Sequence, residues 1–185
     1  MAPPPARPSR HRSLPRRAWL AAAGSAALLA GCGFAPRQTP VLPFRRIALG
    51  GFAPRSPLAD ALRLRLADSA QVVDAPGQAE VVLQALVDKR ERSVVASTAA
   101  GQVRELQLRV RFEFRLVSPG GRELIAPTEL LLRRDMSYSE SFALAKAQEE
   151  AELVAAMQDD IVQQVLRRLA QVNPASAASA APTPR

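Results

Sequence analysis

Residues 103–117, VRELQLRVRFEFRLV, alternate apolar and polar side chains with a period of two. That period is typical of a β-strand with one buried and one exposed face. The apolar face carries Leu106, Leu108, Val110, Phe112, Phe114 and Leu116. The opposite face carries Glu105, Gln107, Arg109, Arg111, Glu113 and Arg115. The segment therefore predicts a half-buried antiparallel strand whose apolar face, including both phenylalanines, belongs to the core.

The segments on either side of this strand predict the rest of a sheet. The sequence SPGG at residues 118–121 is typical of a hairpin turn, so a return strand is expected at about 122–138. Pro127 lies within that strand and indicates an edge position or a bulge. An extended stretch at 79–97 and a short strand at 44–49 precede the central strand. Together they predict a mostly antiparallel sheet of three or four strands.

Two amphipathic helices are expected to cover one face of this sheet. The first, at about 57–69, has Ser56 at its N-cap and Pro57 at its first position. The second, at about 141–171, carries an apolar stripe made of Leu144, Ala147, Ala151, Val154, Ala155, Ile161, Val165 and Leu169. The order β-α-β-β-β-α predicts an α+β two-layer sandwich, formed by one domain at 44–172.

The beginning of the chain has the layout of a secretory signal. Its basic part precedes an apolar run at 18–29, which is too short to span a bilayer as a helix. The run ends in LAGC at residues 29–32, which resembles the lipobox of bacterial lipoproteins. We therefore expect a signal peptide at 1–31, a lipid on the thiol of Cys32, and a proline-rich tether completing 32–43. The alternatives are an ordinary cleaved signal with a chance cysteine, or a buried core cysteine.

Removal of such a signal changes which functions the composition allows. The chain of 185 residues has a formal net charge of +8, but its first 31 residues hold five arginines and no acidic residue. Because the mature chain is nearly balanced in charge and is secreted, nucleic-acid binding is not expected. The single histidine, His11, leaves with the signal, and Cys32 is capped by lipid. Nucleophilic catalysis by a Ser/His/Asp or Cys/His set is thus excluded, and no cofactor or metal is expected.

Several short motifs, in their order and spacing, resemble the LptE family of lipopolysaccharide-assembly lipoproteins. They are LAGCGF at 29–34, SPL at 56–58, GQ at 101–102, ELQ at 105–107, ALAK at 143–146, EE at 149–150, Met157 and QQVLRRL at 163–169. The resemblance implies a non-enzymatic protein anchored in the inner leaflet of the outer membrane, on the periplasmic side. It also implies a partner, the β-barrel LptD, which such proteins plug and help to assemble, and lipopolysaccharide as a ligand. Gly33 agrees with an outer-membrane location, since the lipoprotein signal for inner-membrane retention is an aspartate there.

The same resemblance implies basic residues for lipopolysaccharide at two places, a hairpin loop and the start of the last helix. Lys146 matches the second place. At the first place the chain has STAA at 97–100 and no cation before Arg104. Lys146 and Arg104 are therefore the candidate lipopolysaccharide-binding residues. Alternatively, Lys146 is a solvated helix lysine that pairs with Glu150 four residues later.

Two further interpretations stay open at this point. The arginines of the polar strand face would either meet phosphates or an acidic lumen, or simply face solvent. The chain as a whole would alternatively be a generic periplasmic lipoprotein, acting as an adaptor or a lipid carrier. The last segment, 173–185, is rich in Ala, Ser and Pro and is expected to be a disordered tail.

Overall fold

The computed structural model describes residues 41–173, so the predicted signal peptide, Cys32 and nearly all of the predicted tail lie outside the described residues. The elements are β1 (Arg46–Gly50), α1 (Pro57–Leu66), β2 (Gln71–Val73), β3 (Val81–Ser97), β4 (Val103–Val117), β5 (Glu123–Ser137) and α2 (Ala143–Ala170). Short 3₁₀ turns at Pro76–Gln78 and Glu140–Phe142 precede β3 and α2. A five-stranded sheet is covered on one face by the two helices, which confirms the predicted α+β sandwich.

The strand order in the sheet is β2-β1-β3-β4-β5. The three long strands β3, β4 and β5 form an antiparallel meander, as the hairpin turns predict. Strand β1 instead runs parallel to both β2 and β3. The fifth strand, β2, was not predicted, because its three residues, QVV, are too few to show a period of two.

Strand β4 carries the centre of the core. Its six predicted apolar side chains are all buried, and the ring of Phe112 lies 5.5 Å from that of Phe114 and 5.8 Å from that of Phe52, measured between centroids. Stacked aromatic rings at these distances contribute beyond their buried area. Both phenylalanines are therefore core residues, as predicted.

Pro127 lies at an irregular point of an edge strand. Phe114 pairs with Thr128, whereas Leu116 pairs with Ile125, so β5 has an extra residue at this point. A proline has no N–H to donate to a ladder and is tolerated at such bulges. The prediction of an edge or bulge at Pro127 is confirmed on both counts.

Helix α1 begins at a cap that also binds the sheet. The hydroxyl of Ser56 accepts a hydrogen bond from the backbone N–H of Ala59 at 3.2 Å and donates one to Oδ2 of Asp88 at 2.5 Å. The Asp88 side chain is only 6% exposed, and its Oδ1 lies 3.6 Å from Nη2 of Arg90. One hydroxyl thus fixes both the start of the helix and a buried carboxylate.

We expect Ser56→Ala to lower the free energy of unfolding by about 2 kcal/mol, because it removes an N-cap and a partner of a buried charge. Urea denaturation of the purified protein measures this change. Ser56→Thr keeps the hydroxyl and should lose clearly less. Equal losses for the two variants would show that the hydroxyl is not the source of the stability.

Helix α2 is buried along only part of its length. Its buried residues all come from its second half: Met157, Gln158, Ile161, Val162, Val165, Leu166 and Leu169. The predicted stripe is wrong for most of the first half, where Ala147, Ala151 and Ala155 are exposed and Leu144 is 89% exposed, whereas Val154 is half-buried against the core. The reason is that α1 is short and packs beside the second half, so no second helix covers the first.

The meander gives the domain two distinct ends. The hairpin end comprises the loop at 98–102, the end of β5 at Ser137 and the start of α2. The base end comprises the start of β3, the turn at 118–122 and the start of β1. Because β3 has 17 residues, the two ends lie about 50 Å apart.

Candidate functional site

The hairpin end brings the two predicted lipopolysaccharide-binding residues together. The backbone N–H of Tyr138 donates to the carbonyl of Arg104 at 2.8 Å. In the neighbouring row, Ser137 pairs with Glu105, and the Ser137 hydroxyl accepts a hydrogen bond from Nζ of Lys146 at 3.0 Å. Arg104 and Lys146 therefore each contact the chain at the end of β5.

The ammonium of Lys146 is largely engaged within the domain. Its Nζ lies 2.7 Å from Oε2 of Glu149, and its side chain is only 19% exposed. The alternative pairing with Glu150 is not formed, because Glu150 accepts from Nη1 of Arg92 at 3.2 Å. An ammonium has three N–H donors, so an incoming phosphate would use the third or displace Glu149.

Arg104 is the more available of the two cations. It is exposed, and its guanidinium forms no hydrogen bond or ion pair with any residue of 41–173. A free guanidinium offers a planar pair of donors that matches a phosphate group. Of the two predicted cations, Arg104 therefore has the more accessible donors.

Exposed apolar side chains accompany the two cations. Four large ones lie at the hairpin end: Val94 at 55%, Val95 at 53%, Phe142 at 66% and Leu144 at 89% exposed. Val94 shares a row with Leu106 and Met136, two rows from Arg104. The sequence did not reveal this cluster, because β3 and α2 read as ordinary half-buried elements. The end of the domain thus combines a free cation with an apolar surface.

The arginine row on the open sheet face is paired within the sheet. Three of its side chains each donate Nε to a neighbour: Arg109 to Gln107 at 2.7 Å, Arg111 to Glu129 at 2.7 Å and Arg115 to Gln84 at 2.8 Å. These contacts favour the interpretation of a solvated, internally paired face over a phosphate site.

A surface cavity of about 410 Å³ lies at the base end, between β5 and the last turn of α2. It is lined by Leu124, Ile125, Thr128, Arg168, Gln171, Val172 and Asn173. No predicted site residue contributes to it. In the part of the chain that the structure describes, His, Cys, Asp and Glu residues nowhere group in threes to hold a metal ion. Among the same residues, no helix is both long and apolar enough to cross a bilayer.

Comparison with known proteins identifies similar sequences over the whole described domain. Residues 44–169 match the family described as LptE: Lipopolysaccharide-assembly. The chain is 31% identical over 150 residues to the LPS-assembly lipoprotein LptE of Pectobacterium atrosepticum, an alignment that covers 79% of this chain and 80% of that protein.

Solved structures show the same fold. The solution structure of an uncharacterized lipoprotein B from Nitrosomonas europaea is 32% identical, with a TM-score of 0.62, and covers 80% of this chain and 94% of that one. The crystal structure of the rare lipoprotein B from Shewanella oneidensis is 28% identical, with a TM-score of 0.58, and covers 68% of this chain and 94% of that one. A minor lipoprotein from Acinetobacter baumannii, 22% identical with a TM-score of 0.58 over 71% of this chain and 93% of that one, shares the fold.

Proposed function

Because the chain belongs to the LptE family of lipopolysaccharide-assembly lipoproteins, we propose that it plugs and helps to assemble an LptD-type β-barrel and binds lipopolysaccharide during its insertion into the outer membrane. Family membership makes the chain a non-enzymatic outer-membrane lipoprotein of lipopolysaccharide assembly. The observation that carries the proposal is the match over residues 44–169, which spans every strand and nearly all of both helices.

The surface of the domain supports residence inside a barrel. The lumens of large outer-membrane barrels are polar and wet. The open sheet face has many charges, but these are paired across strands, as in the 2.7 Å contact of Arg111 with Glu129. Because its charges are already paired, such a face can lie against the wet, polar wall of a barrel lumen.

In this proposal the anchor is the lipidated Cys32 and the tether is 33–43. The acyl chains hold the protein in the inner leaflet, so the domain at 44–172 faces the periplasm and enters the barrel from that side. Residues 1–31 are removed as the signal peptide, and 173–185 form a tail beyond the last helix.

Affinity purification from outer membranes tests the proposal directly. We expect a tight 1:1 complex with a barrel of roughly twenty or more strands. Isolation as a monomer, or as a monomer carrying extractable lipid, would instead support the adaptor or carrier interpretation.

Lipopolysaccharide is proposed to contact the hairpin end, where a phosphate meets Arg104 and Lys146. We expect Arg104→Asp to weaken binding about tenfold, the effect of losing one charge-assisted hydrogen bond. Lys146→Asp should weaken binding less, because Glu149 and Ser137 already occupy two of its donors. Titration of the purified variants with lipopolysaccharide measures both.

The matched control is Arg65→Asp, an exposed cation on α1 away from the hairpin end. It should bind as the unmodified chain does. Unchanged affinity of both Arg104→Asp and Lys146→Asp, with folding intact by circular dichroism, would contradict this assignment of the contact.

A further inference from the structure

The position beside β3 in the sheet, which β1 occupies, is filled along only part of the length of β3. Strand β1 pairs with β3 only from Val81 to Gln84, although β3 continues to Ser97. At Gly51 the chain turns away with φ +78, and a Cβ at this position would clash with the carbonyl oxygen of Ala85. Within the described residues, the strand beside β3 therefore ends beside Ala85.

The remaining edge of β3 is long enough to hold another strand. From Lys89 to Ser97 no strand of the described chain pairs with its outer side. These nine residues extend about 30 Å, and every second one directs its N–H and C=O outward. An open edge of this kind is the surface to which extended peptides add as strands.

The helix layer is open above the same edge. Helix α1 begins beside Asp88, where its cap Ser56 binds, so it covers β3 only up to that row. Beyond it the layer holds the exposed half of α2, which the ion pair of Arg92 with Glu150 at 3.2 Å places next to the edge. An added strand would thus have a ladder on one side and exposed apolar helix residues above it.

Charge indicates what kind of chain fits this edge. Residues 89–97 hold three cations and one acid. Arg90 and Arg92 are on the helix-covered side, since they pair with Val110 and Leu108, and Arg92 is 59% exposed. Each keeps guanidinium donors beyond its single contact, so both can still bind a carboxylate.

Two other occupants are disfavoured by the same charges. A second copy of this edge would bring the same excess of cations, and like charges repel. The terminal segments 1–40 and 174–185 contain no aspartate or glutamate, so they supply no carboxylate for these arginines. We therefore take the acidic segment to belong to a different polypeptide.

We propose that the β3 edge from Lys89 to Ser97 is a docking site for an extended acidic segment of another polypeptide, which adds to the sheet as a strand in line with β1. Its carboxylates would lie on the helix-covered side of the sheet and pair with Arg90 and Arg92. The docking site shares Val94 and Val95 with the apolar surface of the hairpin end, but its cations, Arg90 and Arg92, differ from Arg104 and Lys146, so the test does not depend on lipopolysaccharide binding.

The test uses the purified full chain and a nine-residue peptide of alternating glutamate and valine. At about 1 mM peptide, the weak end of protein affinities, we expect hydrogen exchange of the amides at 89–97 to slow about twofold or more. The corresponding lysine–valine peptide should have no effect. The outer edge of β5, at 129–137, serves as the internal comparison and should not change.

The second part of the test reverses the charges of the two arginines on the edge. The double variant Arg90→Glu/Arg92→Glu should abolish the slowing, whereas Arg133→Glu/Arg134→Glu on β5 should retain it. Exchange at 89–97 that is unaffected by the acidic peptide, or equally slowed by the lysine peptide, overturns the proposal. So does slowing confined to β5, or slowing that survives the reversal of Arg90 and Arg92.

Discussion

Phe112→Ala should lower the free energy of unfolding by about 3–5 kcal/mol. The side chain is fully buried at the centre of β4, and its ring stacks on both Phe52 and Phe114. Truncation removes these contacts and leaves a cavity beneath the helices that the packed neighbours fill only in part. Since a domain of this size is stable by about 5–15 kcal/mol, roughly a fifth or more of the stability would be lost. Urea denaturation, followed by circular dichroism, measures the difference.

The matched control is Phe142→Ala, which removes the same ring from a position that is 66% exposed. A surface truncation of this kind usually changes stability by no more than about 0.5 kcal/mol. Comparable losses for the two phenylalanines would show that the core is not centred on β4.

Cys32→Ala is expected to release the protein from the membrane. Each buried methylene of an acyl chain contributes about 0.8 kcal/mol to membrane binding, and the variant lacks the thiol on which the acyl chains are proposed to be held. The experiment is fractionation of cells that produce the chain in excess over the proposed barrel partner, so that such a barrel cannot retain the variant. The unmodified chain should be found in membranes and the variant in the soluble periplasmic fraction.

Gly33→Asp is the informative control for this release. It keeps the thiol that is proposed to carry the lipid but introduces the aspartate that retains lipoproteins in the inner membrane. This variant should therefore stay membrane-bound and change membranes. If Cys32→Ala remained in the outer-membrane fraction, or if palmitate labelling persisted without the thiol, the assignment of Cys32 would be wrong.

The fold could be predicted where the residue pattern of a single element determines which of its side chains are buried. The alternation in β4 needs only that one face meets the helices, and the bulge at Pro127 follows from the missing N–H. Features that depend on distant partners could not be predicted. The apolar side chains of α2 begin at Leu144. The sequence does not show that α1 is too short to cover those in the first half of α2.

The candidate site shows the same limit. The resemblance led to Lys146 and Arg104, and the structure places both at one end. The helical spacing of Lys146 and Glu150 favoured their pairing, yet Arg92, 58 residues earlier in the chain, takes Glu150 and leaves Glu149 for the lysine. The rule for pairs four residues apart considers only one helix, so it cannot predict that a residue of a distant strand binds the same carboxylate.

The separation of the two ends also sets a length scale. The described chain starts near the base, whereas Arg104 lies at the far tip, about 50 Å away along β3. The hydrocarbon core of a bilayer is only about 30 Å thick. The long strands alone thus span more than the thickness of that core, and shortening the hairpin would bring Arg104 nearer the base by about 3.3 Å for each residue removed from β3.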